Sequence, residues 1–179
     1  MASALLLLSE GFEEIEAVTI IDVLRRGEVA VTTASLGGKH VKGSHEIAIE
    51  ADALLSEVSV DDFDALVLPG GPAAETLRED VHAQDAIKRA AASGKLLAAV
   101  CAAPTALEAA GVLGGKRATA YPGNRLPSAK FVEENVVEDG EVITSRGPAT
   151  AMAFALKLVE RLSGAATAKT TADRLLFPG

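Results

Sequence analysis

Short apolar runs alternate with amphipathic segments along most of this chain. The runs at residues 3–9, 64–68 and 95–101 hold few polar side chains, which is typical of strands covered on both faces. Segments with helical periodicity follow them, and several end at glycine. Strands that alternate with helices predict an α/β fold, with a mostly parallel sheet and helices on both faces.

The predicted elements extend over nearly the whole sequence. Further strands are predicted at residues 29–36 and 116–122, and helices at 13–27, 81–92, 104–115 and 149–164. Hairpins are expected at residues 40–52 and 136–145, the second because Asp139-Gly140 is a strong turn signal. The tail, residues 165–179, forms either a short last helix or a frayed end. Because the sequence shows no linker and no repeat, we expect a single domain over residues 1–179.

Composition narrows the class of protein. The chain carries a formal net charge of −8, which argues against nucleic acid because phosphate binding needs a basic face. It has one cysteine, which excludes an internal disulfide, and three histidines without metal-ligand spacing. The first residues lack a basic leader, and their apolar run is too short for a membrane span. We therefore expect a cytoplasmic protein with no metal, no membrane contact and no nucleic-acid partner.

The single cysteine, Cys101, lies between a predicted strand and a predicted helix, with Pro104 near the first turn of that helix. Free N–H groups at a helix start favour a thiolate, so we expect a lowered pKa and a strained turn that resembles a nucleophile elbow. A buried structural cysteine is the alternative. Ligands of parallel sheets bind beyond the carboxyl ends of the strands, which favours the nucleophile.

A second strand end carries the sequence Leu-Pro-Gly-Gly at residues 68–71. Gly70 and Gly71 allow the backbone to come close to a ligand, and their N–H groups would form an oxyanion hole with that of Ala102. The alternative is a tight turn into a helix. No nucleotide is indicated, because the stretch matches neither a P-loop nor a dinucleotide fingerprint.

Glu16 is an anomaly in the helix predicted at residues 13–27. On a helical wheel it falls between Ile20 and Val23, inside the apolar stripe. A carboxylate on a buried stripe needs a partner or a proton. The alternative is a glutamate at the edge of the stripe whose carboxylate reaches solvent.

Four segments taken together resemble the ThiJ/PfpI family, in the branch of the Parkinsonism-associated deglycase. They are GFEEIEAV, DALVLPGG, AAVCAAPTAL and DGEVITSRGPATAMAFALKLVERL. The resemblance implies a flavodoxin-like three-layer sandwich, a homodimer, and no metal or organic cofactor. It also implies that Cys101 is the nucleophilic and oxidisable cysteine and that Glu16 is hydrogen-bonded to it. Gly71 and Ala102 match the backbone N–H donors beside the thiolate.

The resemblance further implies glutathione-independent conversion of methylglyoxal or glyoxal into a hydroxy acid, or repair of their early adducts, with a role in oxidative and carbonyl stress. One position departs from the pattern. This branch commonly has a histidine before the proline of the segment TAYPG, where the chain has Tyr121. A phenol with an ordinary pKa of about 10 is a poor proton shuttle at neutral pH. We therefore expect slow turnover and no peptidase activity.

Two other functions stay open. In the first, the protein is no enzyme but a redox sensor or holdase chaperone, in which Cys101 is oxidised to a sulfinate that protonated Glu16 stabilises. In the second, which has less support, the protein is an amidotransferase-like hydrolase. That chemistry requires a histidine that the sequence does not offer.

Overall fold

The computed structural model describes residues 1–178, and its centre is a seven-stranded sheet. From one edge to the other, the strands are β10 (Val136–Asp139), β11 (Val142–Ser145), β7 (Leu96–Val100), β6 (Ala65–Leu68), β1 (Ser3–Leu8), β2 (Ala30–Ser35) and β5 (Ala53–Leu54). Every neighbouring pair is parallel except β10 and β11, which form the predicted antiparallel hairpin. The predicted α/β class with a mostly parallel sheet is confirmed.

Six α-helices within residues 1–178 cover the two faces of this sheet. One layer contains α1 (Glu14–Arg26), α5 (Ala151–Ser163) and α6 (Ala165–Arg174), and the other contains α2 (Ala73–Glu79), α3 (Val81–Ala92) and α4 (Pro104–Ala109). Alternate residues of β1 point to opposite layers, so that Leu6 packs with α1 and α5 whereas Leu7 packs with the other three helices. Both faces of the strand are therefore buried, which explains its continuous apolar run.

Two short ribbons accompany the sheet. The hairpin predicted after β2 is confirmed as β3 (His40–Lys42) paired antiparallel with β4 (Ala48–Glu50). The strand predicted after α4 is shorter than expected, because only β8 (Arg117–Ala118) forms, paired with β9 (Lys130–Phe131). Along residues 1–178, no helix combines the length and apolar character that crossing a bilayer requires.

Two helices differ from the sequence pattern, and a third settles the alternatives left open for the tail. Helix α2 is not predicted, because its seven residues are too few for a helical period to be recognised. Helix α4 ends before the predicted range does, since Gly111 adopts a positive φ of 77° just after it. In the tail, α6 forms because Ala168 and Ala172 pack on the same core as α1 and α5. The helical alternative for the tail is therefore correct.

The carboxyl ends of β1, β6 and β7, three central strands, lie side by side at the end of the sheet toward which these strands run. The strand order reverses between β1 and β6, because the chain passes from β1 to β2 on one side and returns to β6 on the other. Helices that follow two such strands lie on opposite faces and leave a crevice, where ligands of open parallel sheets bind.

Candidate active site

Cys101 occupies a strained turn between β7 and α4. Its φ angle is 63°, in the left-handed region that non-glycine residues rarely adopt. Two backbone hydrogen bonds hold this conformation: the Cys101 N–H donates to the Ser145 carbonyl at 3.0 Å, and the Cys101 carbonyl accepts from the Tyr121 N–H at 2.8 Å. The strained strand-to-helix elbow predicted from the sequence is confirmed, and the cysteine is only partly buried.

Gly70 and Gly71 follow β6 and pass so close to neighbouring segments that neither position has room for a side chain. A Cβ atom on Gly70 would lie 2.6 Å from Cys101 Cβ and 2.7 Å from Glu16 Oε2. On Gly71, where φ is 85°, a Cβ atom would lie 2.5 Å from the Gly11 carbonyl oxygen. The two glycines therefore allow β6, β7 and the start of α1 to meet at the thiol.

Glu16 reaches the crevice from the first turn of α1 and is fully buried. One carboxyl oxygen, Oε2, accepts from the Gly70 N–H at 2.7 Å, whereas Oε1 is buried without a hydrogen-bond partner among the described residues. Because only Oε2 has a donor, Oε1 is the oxygen that suits the carboxyl proton. The position on the apolar stripe is confirmed, and the alternative of a solvent-reaching glutamate is wrong.

The pKa of Glu16 is raised from 4.5 to about 7. Burial is the largest cause, because it disfavours the carboxylate. The Gly70 N–H and the neighbouring Cys101 thiol lower this pKa, and the negative charge of Glu13 raises it again. Near neutral pH, Glu16 is therefore divided between acid and carboxylate, which suits a group that both gives and takes protons.

The pKa of Cys101 is raised to about 12, opposite to the lowering expected from its place before a helix. Burial is the largest cause, and the charge of ionised Glu16 is the second. The N–H groups of Gly71 and Ala102 donate to the sulfur and lower the pKa, but they do not outweigh these effects. Helix α4 has only six residues, so its dipole is weaker than the expectation assumed. Protonation of Glu16 removes its charge, so the thiol and the carboxyl titrate as a pair.

A second polar cluster lies beside the crevice, where the loop between β3 and β4 packs on the first turn of α1. Glu14 is buried there, and its carboxylate accepts from the N–H groups of His45 at 2.6 Å and of Ile47 at 3.3 Å. Burial raises the pKa of Glu14, but the hydrogen bonds it accepts outweigh burial and lower the pKa to about 2. Sequence reasoning missed Glu14 because its partner His45 lies 31 residues away along the chain.

Glu13, Glu14 and His45 are the residues in the described part of the chain that could together hold a metal ion. One ligand atom of each lies within 4.8 Å of the others. These atoms already make hydrogen bonds, since Ser44 Oγ donates to Glu13 Oε2 at 3.2 Å and His45 Nδ1 lies 3.1 Å from Glu14 Oε2. Hydrogen bonding explains the cluster, and we assign no ion to it.

Tyr121 lies at the elbow, in the position where the resemblance leads one to expect a histidine. Its N–H supports the Cys101 carbonyl, and its ring packs against Gly147, where a Cβ atom would lie 3.2 Å from a ring carbon. The side chain is 49% exposed. Tyr121 therefore lies between the elbow and the loop that follows β11.

The order of the strands, and a cysteine in a strained turn at the end of the strand beside their reversal, place this protein among flavodoxin-like sandwiches with a cysteine-centred site. Comparison of the sequence with known families then identifies the family. The chain belongs to the DJ-1/PfpI family, whose model matches residues 2–161. The resemblance drawn from four sequence segments is confirmed.

Three relatives show how far the similarity extends. The chain is 42% identical over 180 residues to Drosophila melanogaster dj-1beta, covering 97% of this chain and 96% of the relative. The crystal structure of that protein matches with a TM-score of 0.95, at 41% identity and 99% coverage of both chains. The glutathione-independent glyoxalase DJR-1.2 of Caenorhabditis elegans is 39% identical over 166 residues, covering 90% of this chain and 89% of its own. The structure of oxidized Toxoplasma gondii DJ-1 has a TM-score of 0.95 at 37% identity and covers 100% of both chains.

Proposed function

We propose that this protein is a cofactor-free, cysteine-dependent enzyme of the glyoxalase or deglycase type. Its substrates are methylglyoxal, glyoxal or their early adducts, and its role is protection against carbonyl and oxidative stress. The observation that carries the proposal is the buried Glu16 carboxyl, whose pKa of about 7 provides a proton donor and acceptor beside the Cys101 thiol. The relative named as a glutathione-independent glyoxalase supports the same reaction.

The first step in this proposal is addition of the thiol to the aldehyde. Glu16, as carboxylate, accepts the thiol proton while the sulfur of Cys101 bonds to the aldehyde carbon of the 2-oxoaldehyde. The carbonyl electron pair moves to oxygen and gives the alkoxide of a hemithioacetal. The N–H groups of Gly71 and Ala102, which lie beside the sulfur, donate to this developing oxyanion.

The second step moves a hydrogen between the two carbons. Glu16 gives its proton to the alkoxide, and the carboxylate that results removes the proton from the former aldehyde carbon. The electron pair of that C–H bond forms a carbon–carbon double bond, and the ketone electron pair moves to its oxygen, which leaves an enediolate. Glu16 returns this proton to the neighbouring carbon. The hydroxyl on the sulfur-bearing carbon loses its proton to the neighbouring oxygen, which gives a thioester with an adjacent alcohol. One carbon is oxidised while its neighbour is reduced, so no external oxidant is required. Water then attacks the thioester, and the hydroxy acid and the free thiol are released.

The test is formation of lactate from methylglyoxal by the purified protein without glutathione. We expect turnover by the wild type and none above background in Cys101→Ala. In Glu16→Gln, kcat should fall by about 10²-fold or more, because the amide cannot carry protons between carbon and oxygen. A Cys101→Ala variant that keeps most of the activity would show that the proposed chemistry is wrong.

The steps above give Tyr121 no proton to carry, whereas the histidine that the resemblance leads one to expect at this position would add a second proton carrier near the thiol. Tyr121→His should raise kcat for methylglyoxal, and Tyr121→Phe serves as the control that removes only the hydroxyl. An unchanged kcat in the histidine variant would show that proton exchange at this position does not limit turnover.

One observation also favours a second function, that of a redox sensor or holdase chaperone. Glu16 Oε1 is buried and unpartnered among the described residues, and the Glu16 carboxyl neighbours the Cys101 thiol, so a carboxyl proton would donate to an oxygen added to Cys101 and stabilise a sulfinate. One solved relative is described as oxidized. Mass spectrometry after mild peroxide treatment tests the idea: sulfinate should accumulate in the wild type and pass on to sulfonate in Glu16→Leu. Equal accumulation in both proteins would remove the support for a sensor.

We propose in addition that the protein acts in the cytoplasm, as one domain and as a homodimer, without nucleic-acid or membrane partners. Support for the dimer comes from an exposed apolar surface, called the α1 patch here, formed by Ile15, Val18 and Ile47. These side chains are 57%, 48% and 59% exposed, and Ile47 adjoins α1 through the hydrogen bond from its N–H to Glu14. A second copy of the chain would cover such a surface in a symmetric contact.

A further inference from the structure

A groove of about 410 Å³ opens beside the elbow, between the loop that follows Tyr121 and the end of β11. Its apolar walls include Pro122 and Phe131. Its polar side chains are Asn124, Arg125, Glu133 and Arg146. Two arginines and one glutamate among these side chains give the groove a formal charge of +1, in a chain whose net charge is −8.

The walls of this groove continue directly from the backbone that supports the elbow. The Ser145 carbonyl accepts the Cys101 N–H at 3.0 Å, and Arg146 is the next residue along the chain. On the other side, the Tyr121 N–H donates to the Cys101 carbonyl at 2.8 Å, and Pro122 follows. The elbow and the groove are therefore built on adjacent residues of the same two backbone segments, Tyr121–Pro122 and Ser145–Arg146.

Arg146 lacks the partner that a partly buried guanidinium requires. Its Nε is buried without a hydrogen-bond partner among residues 1–178. Glu133 lines the same groove but forms no ion pair with Arg146 or Arg125, whereas Arg117 and Arg161 in neighbouring elements both pair with glutamates. Buried donors in native proteins are nearly always satisfied, and Arg146 also forms no ion pair within residues 1–178, so its guanidinium is available to an anionic group that enters the groove it lines.

We propose that this groove, the Arg146 groove, binds an anionic end of the substrate, a carboxylate or a phosphate, while the reacting carbon lies at Cys101. This inference rests on the proposed function and narrows it. The preferred substrates are then adducts of 2-oxoaldehydes that carry an anionic group, rather than free methylglyoxal, which is neutral. A guanidinium binds carboxylates and phosphates through paired hydrogen bonds, and the apolar walls suit the carbon chain between the two ends.

A matched pair of substrates tests directly whether a negative charge on the substrate strengthens its binding. The hemithioacetals that methylglyoxal forms with N-acetylcysteine and with N-acetylcysteine amide have nearly the same size and differ by one negative charge. In the wild type, KM should be about tenfold lower for the carboxylate adduct. In Arg146→Gln this ratio should fall to about one, and in Arg146→Lys it should be intermediate because a point charge replaces the planar fork. Arg174→Gln, which removes an exposed arginine of α6, is the control and should retain the wild-type ratio.

Binding of anions gives a readout that does not need turnover. Calorimetric titration of Cys101→Ala with acetate and with inorganic phosphate should show which anion binds, and the heat should vanish in Cys101→Ala/Arg146→Gln. If no substrate is turned over but this binding is present, the proposed reaction fails while the anion site stands.

Three results would overturn the Arg146 groove as an anion site. The first is equal KM values for the two adducts in the wild type. The second is binding of neither anion to Cys101→Ala. The third is a change of oligomeric state in Arg146→Gln without loss of the substrate preference, which would assign the arginine to a contact between copies of the chain.

Discussion

The carboxyl of Glu16 accepts one backbone hydrogen bond, from Gly70, and leaves its second oxygen for a proton. The Glu16 carboxyl neighbours the Cys101 thiol, whose pKa is raised by the charge of the Glu16 carboxylate. The acid form of Glu16 therefore favours the thiolate, and the carboxylate form favours the thiol. The reactivity of the sulfur then depends on where one shared proton resides.

Glu16→Gln should lower the pKa of Cys101. The amide keeps an oxygen for the Gly70 N–H but carries no charge, so the second-largest cause of the raised thiol pKa disappears. Thiolate absorbance in the ultraviolet, measured against pH, reports the change. Glu13→Gln is the control, because Glu13 acts on the pKa of Glu16 and should displace the thiol curve less. Superimposable curves for wild type and Glu16→Gln would mean that the two groups are not coupled.

At the scale of elements, the site exists because two strand ends and a helix start converge on Gly70 and Gly71, which have no side chains. Gly70 lies between Cys101, in the turn after β7, and Glu16, in the first turn of α1. The strain at Cys101 is maintained by backbone hydrogen bonds from β11 and from the Tyr121 segment. Neither the close approach nor the strained turn can be supplied by one element alone.

Gly70→Ala should destabilise the protein by about 1–3 kcal/mol and abolish activity, because the new methyl group overlaps Cys101 and Glu16. Gly37→Ala is the matched control, since a Cβ atom there meets nothing within 4 Å. Urea denaturation of both variants gives the comparison. Similar losses of unfolding free energy would show that the loop has room to move away from the thiol.

At the scale of the whole molecule, the contributions of two buried glutamates to stability change with pH in opposite directions. The folded pKa of Glu16, about 7, lies above 4.5, so its contribution is fully present below pH 4.5 and is lost as the pH rises through 7. The folded pKa of Glu14, about 2, lies below 4.5, so its contribution is present above pH 4.5 and is lost as the pH falls toward 2.

Relative to Glu16→Gln, the wild type should therefore lose stability as the pH rises from 4.5 to above 7. The shift from 4.5 to about 7 corresponds to roughly 3 kcal/mol in the difference between the two proteins. Urea denaturation across this range measures the difference, and the contribution of Glu14, common to both proteins, cancels. A difference that does not vary with pH would show that Glu16 ionises as readily in the folded protein as in the unfolded chain.

A substitution in the α1 patch tests the proposed homodimer. Ile15→Lys should raise the dissociation constant of the proposed homodimer about tenfold or more, since a charge at the centre of an apolar contact must be desolvated. Sedimentation at several concentrations measures it. Val81→Lys, which alters a side chain 72% exposed on α3 in the opposite layer, is the control. A monomeric wild type, or equal disruption by both substitutions, would contradict a dimer through this patch.

The sequence by itself determined the layers of the fold and the position of the elbow. Strand and helix periods are local, so β1, α1 and β7 could be predicted from consecutive residues, and Glu16 stood out because a single helix turn sets its neighbours. The hairpin at Asp139-Gly140 could likewise be predicted from consecutive residues, because its turn signal is two adjacent residues. Helix α2, with seven residues after a Pro-Gly-Gly loop, had too short a pattern to be recognised.

Only the tertiary structure decided the electrostatics of the site. The raised pKa of Cys101 results from burial and from Glu16, which comes from another element, and it reverses the sign expected from the short helix next to the cysteine. The donors to Glu14 and the unpartnered Nε of Arg146 likewise depend on segments that are far apart along the chain. Hydrogen bonds, burial and charge act over a few ångströms in space, and a periodic pattern along the sequence does not record which distant segments come that close.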